Sequence, residues 1–121
     1  MMKNVVVLGA TPKEDRYAYR AMQMLSRHGH HPIPVNPAFD EVLGHRCYDR
    51  IAEVTEPIDT VTMYVGPAKS EPLIAEIVGA RPRRIIMNPG AENERLAAAA
   101  QANGIEVVIG CTLVMLQAGT F

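Results

Sequence analysis

The run VVVLGATPKEDRYAYR, from Val5 to Arg20, decides the fold. It opens in a β-branched run, Asn4 to Leu8, which reads as a strand buried on both faces. Gly9 breaks it. A helix follows over Arg16 to Arg27, with Ala18, Ala21, Met22 and Leu25 at helical spacing and Gly29 as its stop. Strand, glycine turn and helix open many nucleotide-binding α/β domains. The turn here holds one glycine where a dinucleotide fingerprint holds three, so which nucleotide it serves is the question.

The rest of the chain repeats the alternation. Pro32 to Val35 reads as a second strand, ended by Asn36-Pro37. Gly44 marks a turn and Ile51 to Val54 one helical turn. Asp59 to Val65 is the third strand, stopped by Gly66-Pro67. Ser70 has the character of an N-cap, with Glu71 and Pro72 in the first turn of a helix that carries Leu73, Ile74, Ile77 and Val78 and closes at Gly79. Arg84 to Met87 is the fourth strand and Asn88-Pro89-Gly90 its end. Glu92 to Asn103 is an alanine-rich helix, Ile105 to Ile109 the fifth strand, and Thr112 to Gln117 a last short helix. Strands separated by helices imply βαβ units with right-handed crossovers. The expected fold is α/β, a Rossmann-like three-layer arrangement around a mostly parallel five-stranded sheet in the order 3-2-1-4-5. A single domain is expected over residues 1–121.

Composition excludes several classes. Apolar residues make up 48% of the 121 positions and charged ones 21%, enough for a core and too apolar for disorder. A formal net charge of -1 gives no electrostatic footprint for nucleic acid, and 5% aromatic residues without Trp give no base-stacking surface. Cys47 and Cys111 are too few for a disulfide framework or metal knuckle and read as reduced thiols. The sequence opens without a basic and apolar leader pattern, and its apolar runs are too short to span a bilayer, so the expected location is cytoplasmic.

In an open α/β sheet, ligands bind beyond the C-terminal strand ends. Those ends carry Gly9-Ala10-Thr11-Pro12, Asn36-Pro37, Tyr64-Val65-Gly66-Pro67, Asn88-Pro89-Gly90 and Gly110-Cys111-Thr112. Turns need Gly, Pro and Asn in any case. What lifts the set above ordinary turn chemistry is its concentration along one edge. Gly9 allows a tight turn, Thr11 offers a hydroxyl and an amide, Lys13 and Arg16 add positive charge, and the following helix adds unpaired N–H groups. Glu14 and Asp15 work against an anion, and Asp15 also reads as an N-cap. NAD is disfavoured: positions 9, 11 and 14 hold Gly, Thr and Glu, and Asn36-Pro37 stand where an acidic residue would hold a ribose hydroxyl. No P-loop pattern occurs.

Three runs together carry a family likeness: VVVLGATPKEDRYAYRAMQMLSRHGHHPIPVNP, EVLGHRCYDRIAEV and MNPGAENERLAAAAQANGIEVV. The chain resembles the small bacterial CoA-binding proteins, which are similar to the N-terminal CoA-binding domain of the succinyl-CoA synthetase α subunit. The most specific part is Pro34 to Pro37 with Glu41, Gly44 and Tyr48. The resemblance implies coenzyme A or an acyl-CoA as ligand. It implies that Gly9, Ala10, Thr11, Pro12 and Lys13 hold the diphosphate region with Arg16 as a phosphate partner. Asn36 and Pro37 would lie near the adenosine, Tyr64, Val65 and Pro67 along the adenine and pantetheine, and Asn88, Pro89 and Gly90 near the pantetheine arm. Two departures stand out. The synthetase subunit has a lysine after the second strand where this chain has Phe39, and a proline-asparagine-cysteine-proline loop where this chain has GCTLVM around Cys111.

Catalytic candidates are thin. His28, His30 and His31 cluster at the first helix end, with no acid or cysteine at ligand spacing, and read as a solvated helix end where cations suit the dipole. His45 reads as a lone surface residue. Cys111 lies on the ligand edge, where it is a small turn residue or a thiol facing a thioester. The residues leave three functions open: a non-catalytic binder of CoA or acyl-CoA, a CoA-binding subunit beside a separate catalytic chain, and a Rossmann-like interaction module that has lost its ligand. No metal and no catalytic residue is assigned. Val114, Met115, Leu116 and Phe121 are left to pack on the core or on a second copy, so a homodimer is one expectation.

Overall fold

Apolar strands form a parallel sheet, and the helices between them cover its two faces. In chain order the long strands are β1 (Asn4–Leu8), β2 (His31–Val35), β5 (Thr60–Met63), β6 (Arg84–Met87) and β7 (Glu106–Ile109), with a small hairpin of β3 (Glu41–Val42) and β4 (His45–Arg46) after β2. The helices are α1 (Tyr17–Arg27), α2 (Pro67–Ser70), α3 (Ile74–Gly79), α4 (Glu94–Ala102) and α5 (Thr112–Ala118). The computed structural model describes residues 1–121. No helix is long and apolar enough to cross a membrane.

The main sheet runs β2-β1-β5-β6-β7, all parallel, with Val6 opposite Ile33 on one side and Val61 on the other. Beyond β2 lies a single parallel bridge, Val35 to Tyr48. Counting that bridge as the third strand gives 3-2-1-4-5-6, which contains the expected order 3-2-1-4-5, but with a different segment in third place from the one assigned. The strand expected third, now β5, pairs with β1 and takes the fourth place. The reason is in β2 itself. His31 N–H donates to Lys3 and Val35 O accepts from Gly9, both toward β1. The alternate residues, Pro32 and Pro34, therefore face outward and offer no N–H, so a full strand cannot pair there. One peptide does pair there: Tyr48 donates to Pro34 O at 3.0 Å and accepts from Asn36 N–H at 2.9 Å.

Alternation along the strands divides the core. Val6, Leu8, Val61, Met63, Ile85 and Met87 meet Ile77 of α3 and Leu96 and Ala100 of α4. Val5 and Val7 meet Ala18, Met22 and Leu25 of α1 and Leu116 of α5. Each large aliphatic side chain so buried stabilises by about 1.5–3 kcal/mol. Leu116 thus belongs to the core, and Phe121 packs at its margin, while Val114 stays exposed. Below the sheet, buried Arg84 donates to Thr60 Oγ1 and to Phe121 O and lies 4.4 Å from the Phe121 ring centroid.

Local starts differ from expectation where packing chose another cap. Arg16, in extended conformation, precedes α1, and Asp15 caps nothing. Gly66 and Pro67 start α2, and Ser70 stands at the N-cap position of the 3-10 turn Glu71–Leu73, as expected, but its side chain makes no cap bond there. It is buried and accepts a hydrogen bond from Asn93 Nδ2 at 2.8 Å. Asn93 itself caps α4, accepting from the N–H groups of Arg95 and Leu96.

The β3–β4 turn places both Leu43 and Gly44 at positive φ, as a two-residue hairpin of the I′ kind requires. Leucine suits that geometry poorly. Leu43→Asn should raise stability by about 0.5–1 kcal/mol, read as a higher thermal midpoint. The turn at Ile51–Glu53 is pinned to α3 through Glu76, whose Oε1 accepts from Arg50 at 2.7 Å and Oε2 from Ala52 N–H at 3.1 Å. Burial works against the Glu76 charge, but these hydrogen bonds prevail and hold its pKa below the usual carboxylate value. The stability from a carboxylate depressed on folding is present above about pH 4 and is lost as pH falls through the folded pKa. The deficit of Glu76→Gln should therefore be full at pH 7 and shrink below about pH 4 in urea unfolding.

Candidate functional site

The strand order reverses direction between β1 and β5, and there the crevice opens at the C-terminal strand ends. Gly9 leaves β1 at φ +95°. A Cβ on it would stand 2.8 Å from Val65 Cγ1 and 3.0 Å from Tyr64 O, so only glycine lets the two strand ends approach this closely. Tyr64 N–H donates to Leu8 O at 2.9 Å and completes the junction. Above it lies a cleft of about 720 Å³, within the size range of small-ligand sites.

One wall is the turn after β1. Thr11 is buried, and its hydroxyl accepts from Lys13 N–H at 3.2 Å. α1 starts without a side-chain cap, and its Tyr17 and Ala18 line the cleft with Lys13 and Arg16. Uncapped first-turn N–H groups and the positive end of the helix dipole suit an anion. Asp15 lies 3.7 Å from Arg16 but is solvent-exposed, so it neutralises little of that charge. The opposite wall is Val65, Gly66 and Pro67, continued by Ala68 and Lys69 of α2, with Pro89, Gly90 and Ala91 at one end. Asn36 and Phe39 border the other end. Asn36 Nδ2 donates to Ala10 O and its Oδ1 accepts from Ala38 N–H, both at 2.9 Å, so this amide ties the turn after β1 to the turn after β2.

Ten residues expected at the site line this cleft: Gly9, Thr11, Lys13, Arg16, Asn36, Tyr64, Val65, Pro67, Pro89 and Gly90. Four do not. Ala10 is wholly buried in the α1 layer, and Pro12 and Pro37 are exposed outside the lining. Asn88 lies beneath the cleft with its amide already used. Its Nδ2 donates to Thr62 Oγ1 at 2.7 Å and Met63 O at 2.8 Å, and its Oδ1 accepts from Thr112 N–H at 2.9 Å. Thr62 and Thr112 hydroxyls meet at 2.7 Å. The Tyr64 hydroxyl, buried without a partner, faces this pair, and burial pushes its pKa up to about 12. Sequence reading missed Tyr17, Ala18, Ala68, Lys69 and Ala91 as lining. For Ala68 and Lys69 the signal was present, since a proline directly after glycine marks a helix start at Pro67.

The other candidates separate. Cys111 precedes α5, half-buried and outside the lining. Burial pushes the Cys47 thiol up. His30 accepts from Lys3 N–H, and burial lowers its pKa. His31 pairs with Glu56 at 3.0 Å and stands edge-on to His45, which is therefore not alone. No group of three His, Cys, Asp or Glu side chains is placed to hold a metal ion.

A doubly wound sheet with an anion-suited crevice at its switch point defines a nucleotide-type binding domain. The model of the CoA binding domain matches residues 3–117, and the chain belongs to that family. It is 32% identical over 63 residues to an acetate–CoA ligase (ADP-forming) of Methanocaldococcus jannaschii, covering 52% of this chain and 9% of that protein. It is 32% identical over 62 residues to the uncharacterized protein YneT of Bacillus subtilis, covering 51% of this chain and 46% of that one. The matched part is thus less than half of either relative. A solved structure of an uncharacterized protein has 49% identity and a TM-score of 0.94, covering 100% of this chain and 99% of the other.

Asn88→Ala leaves Thr112 N–H, Thr62 Oγ1 and Met63 O each short of a partner in a buried site. It should cost about 2–3 kcal/mol in urea unfolding, against near zero for a change at exposed Pro37.

Proposed function

We propose that the cleft binds coenzyme A or an acyl-CoA, and that residues 1–121 form one CoA-binding domain without chemistry of its own. The observation that carries this reading is the charge pattern of the lining: Lys13 and Arg16 before the uncapped start of α1, Lys69 on α2, and no Asp or Glu. A diphosphate takes the α1 end, where Thr11, Lys13 and Arg16 stand. The apolar stretch of Val65, Pro67, Pro89 and Ala91 suits a pantetheine arm. Asn36 supports the turn rather than the ligand, since both ends of its amide are engaged within the protein. The lining offers no His, Cys, Ser, Asp or Glu for nucleophilic or acid–base work, which supports a binding role.

A second reading has its own observation. The likeness to an acetate–CoA ligase covers 9% of that protein, which favours a CoA-binding part acting beside a separate ligase-type chain. Co-purification of such a chain with the tagged protein supports it, and a clean homo-oligomer counts against it.

Isothermal titration with CoA, acetyl-CoA, NAD and ATP tests the main reading. Binding of the CoA species alone is expected. No heat from either, at concentrations that reveal about 100 μM affinity, sinks it. Arg16→Ala and Lys13→Ala should each weaken CoA by about tenfold, with a shallower salt dependence than the wild type.

A further inference from the structure

The cations of the cleft are unevenly placed. Lys13 and Arg16 stand on the turn after β1, and Lys69 stands on α2 after β5, the strand paired with β1. All three therefore border the junction where the diphosphate is placed above. Neither Lys13 nor Lys69 joins any of the six ion pairs in the protein. The wall after β2 is different. Its lining residues are Asn36 and Phe39, and the chain there runs Asn36-Pro37-Ala38-Phe39-Asp40-Glu41, with no cation and two exposed carboxylates. The next cation, Arg46, lies outside the lining, with its guanidinium 4.6 Å from the Tyr48 ring centroid.

In a doubly wound sheet the ribose of an adenosine nucleotide meets the end of the second strand. A phosphomonoester on that ribose carries about -1.5 to -2 charges near pH 7. Here it would meet an amide already hydrogen-bonded within the protein, a phenyl ring and two acids. Such a phosphate gains nothing on leaving water. We propose that this cleft takes adenosine diphosphate conjugates without requiring a phosphate on the ribose, so that 3′-dephospho-coenzyme A is as good a ligand as coenzyme A. The inference rests on the CoA reading above and narrows its ligand class. Phe39 is the residue that withholds the discrimination.

The test is titration calorimetry of the intact chain with coenzyme A and with 3′-dephospho-coenzyme A. Affinities within about threefold of each other are expected. Coenzyme A tighter by about tenfold or more, the worth of one charge-assisted phosphate contact, overturns the inference and leaves the CoA reading standing. Failure of both ligands to bind overturns the two together. A cation placed on the wall should create the missing preference. Phe39→Lys should favour coenzyme A over the dephospho form by about tenfold. Because Phe39 packs against the core of the α1 layer, Ala38→Lys at an exposed position is the companion variant and should shift the ratio the same way. Two well-folded variants with an unchanged ratio would mean that the ribose lies elsewhere, and would overturn the proposal.

Discussion

The structure hangs on one close approach. β1 and β5 are neighbours in the sheet, and their C-terminal ends converge until Gly9 leaves no room for a methyl group beside Tyr64 and Val65. Every wall of the cleft takes its direction from that junction. The chain leaves Gly9 toward one face of the sheet and Val65 toward the other, and the crevice is the gap between the two departures. A side chain at Gly9 would meet the Tyr64 backbone, which cannot swing aside, so it would push the strand ends apart and distort the crevice.

Asparagines hold the remaining edges. Asn36 links the first two strand-end turns, Asn88 links β5, β6 and the start of α5, and Asn93 caps α4 while reaching Ser70. Each uses both donor and acceptor functions at once, which a short amide can do and a carboxylate cannot. The C-terminal edge is thus held together by side-chain amides, and Lys13 and Lys69 above it join no ion pair. This division explains why residues of one type, at similar places after strands, split into cleft wall and support.

Much of the fold was legible in the sequence because short apolar runs between glycine and proline stops have few other readings. Asn4 to Leu8 and Arg84 to Met87 are strands with the expected limits. The strand order was only half legible. Pro32 and Pro34 in alternate positions already marked β2 as unable to donate on one side, yet which side faced β1 was a matter of pairing. Ser70 holds the N-cap position that its sequence context gave it, but its buried hydroxyl meets Asn93 rather than the backbone of the turn it precedes. Asn88 looked like a ligand contact because it follows a strand, and only the positions of Thr62 and Thr112, 26 residues before and 24 after it, show its amide to be fully used.

By itself the sequence determined the α/β class, the single edge on which the strand-end turns gather, the absence of a dinucleotide fingerprint and the family likeness, because these follow from local patterns and residue types. Tertiary structure alone decided which edge residues reach the cleft. That depends on groups far apart in the chain competing for the same hydrogen bonds, and on how closely two backbones can pass. Lys69 came into the cleft and Asn88 left it for that reason. So did the contrast between a cationic junction and an uncharged wall, since charge becomes a site only when strands β1, β2 and β5 set its members side by side.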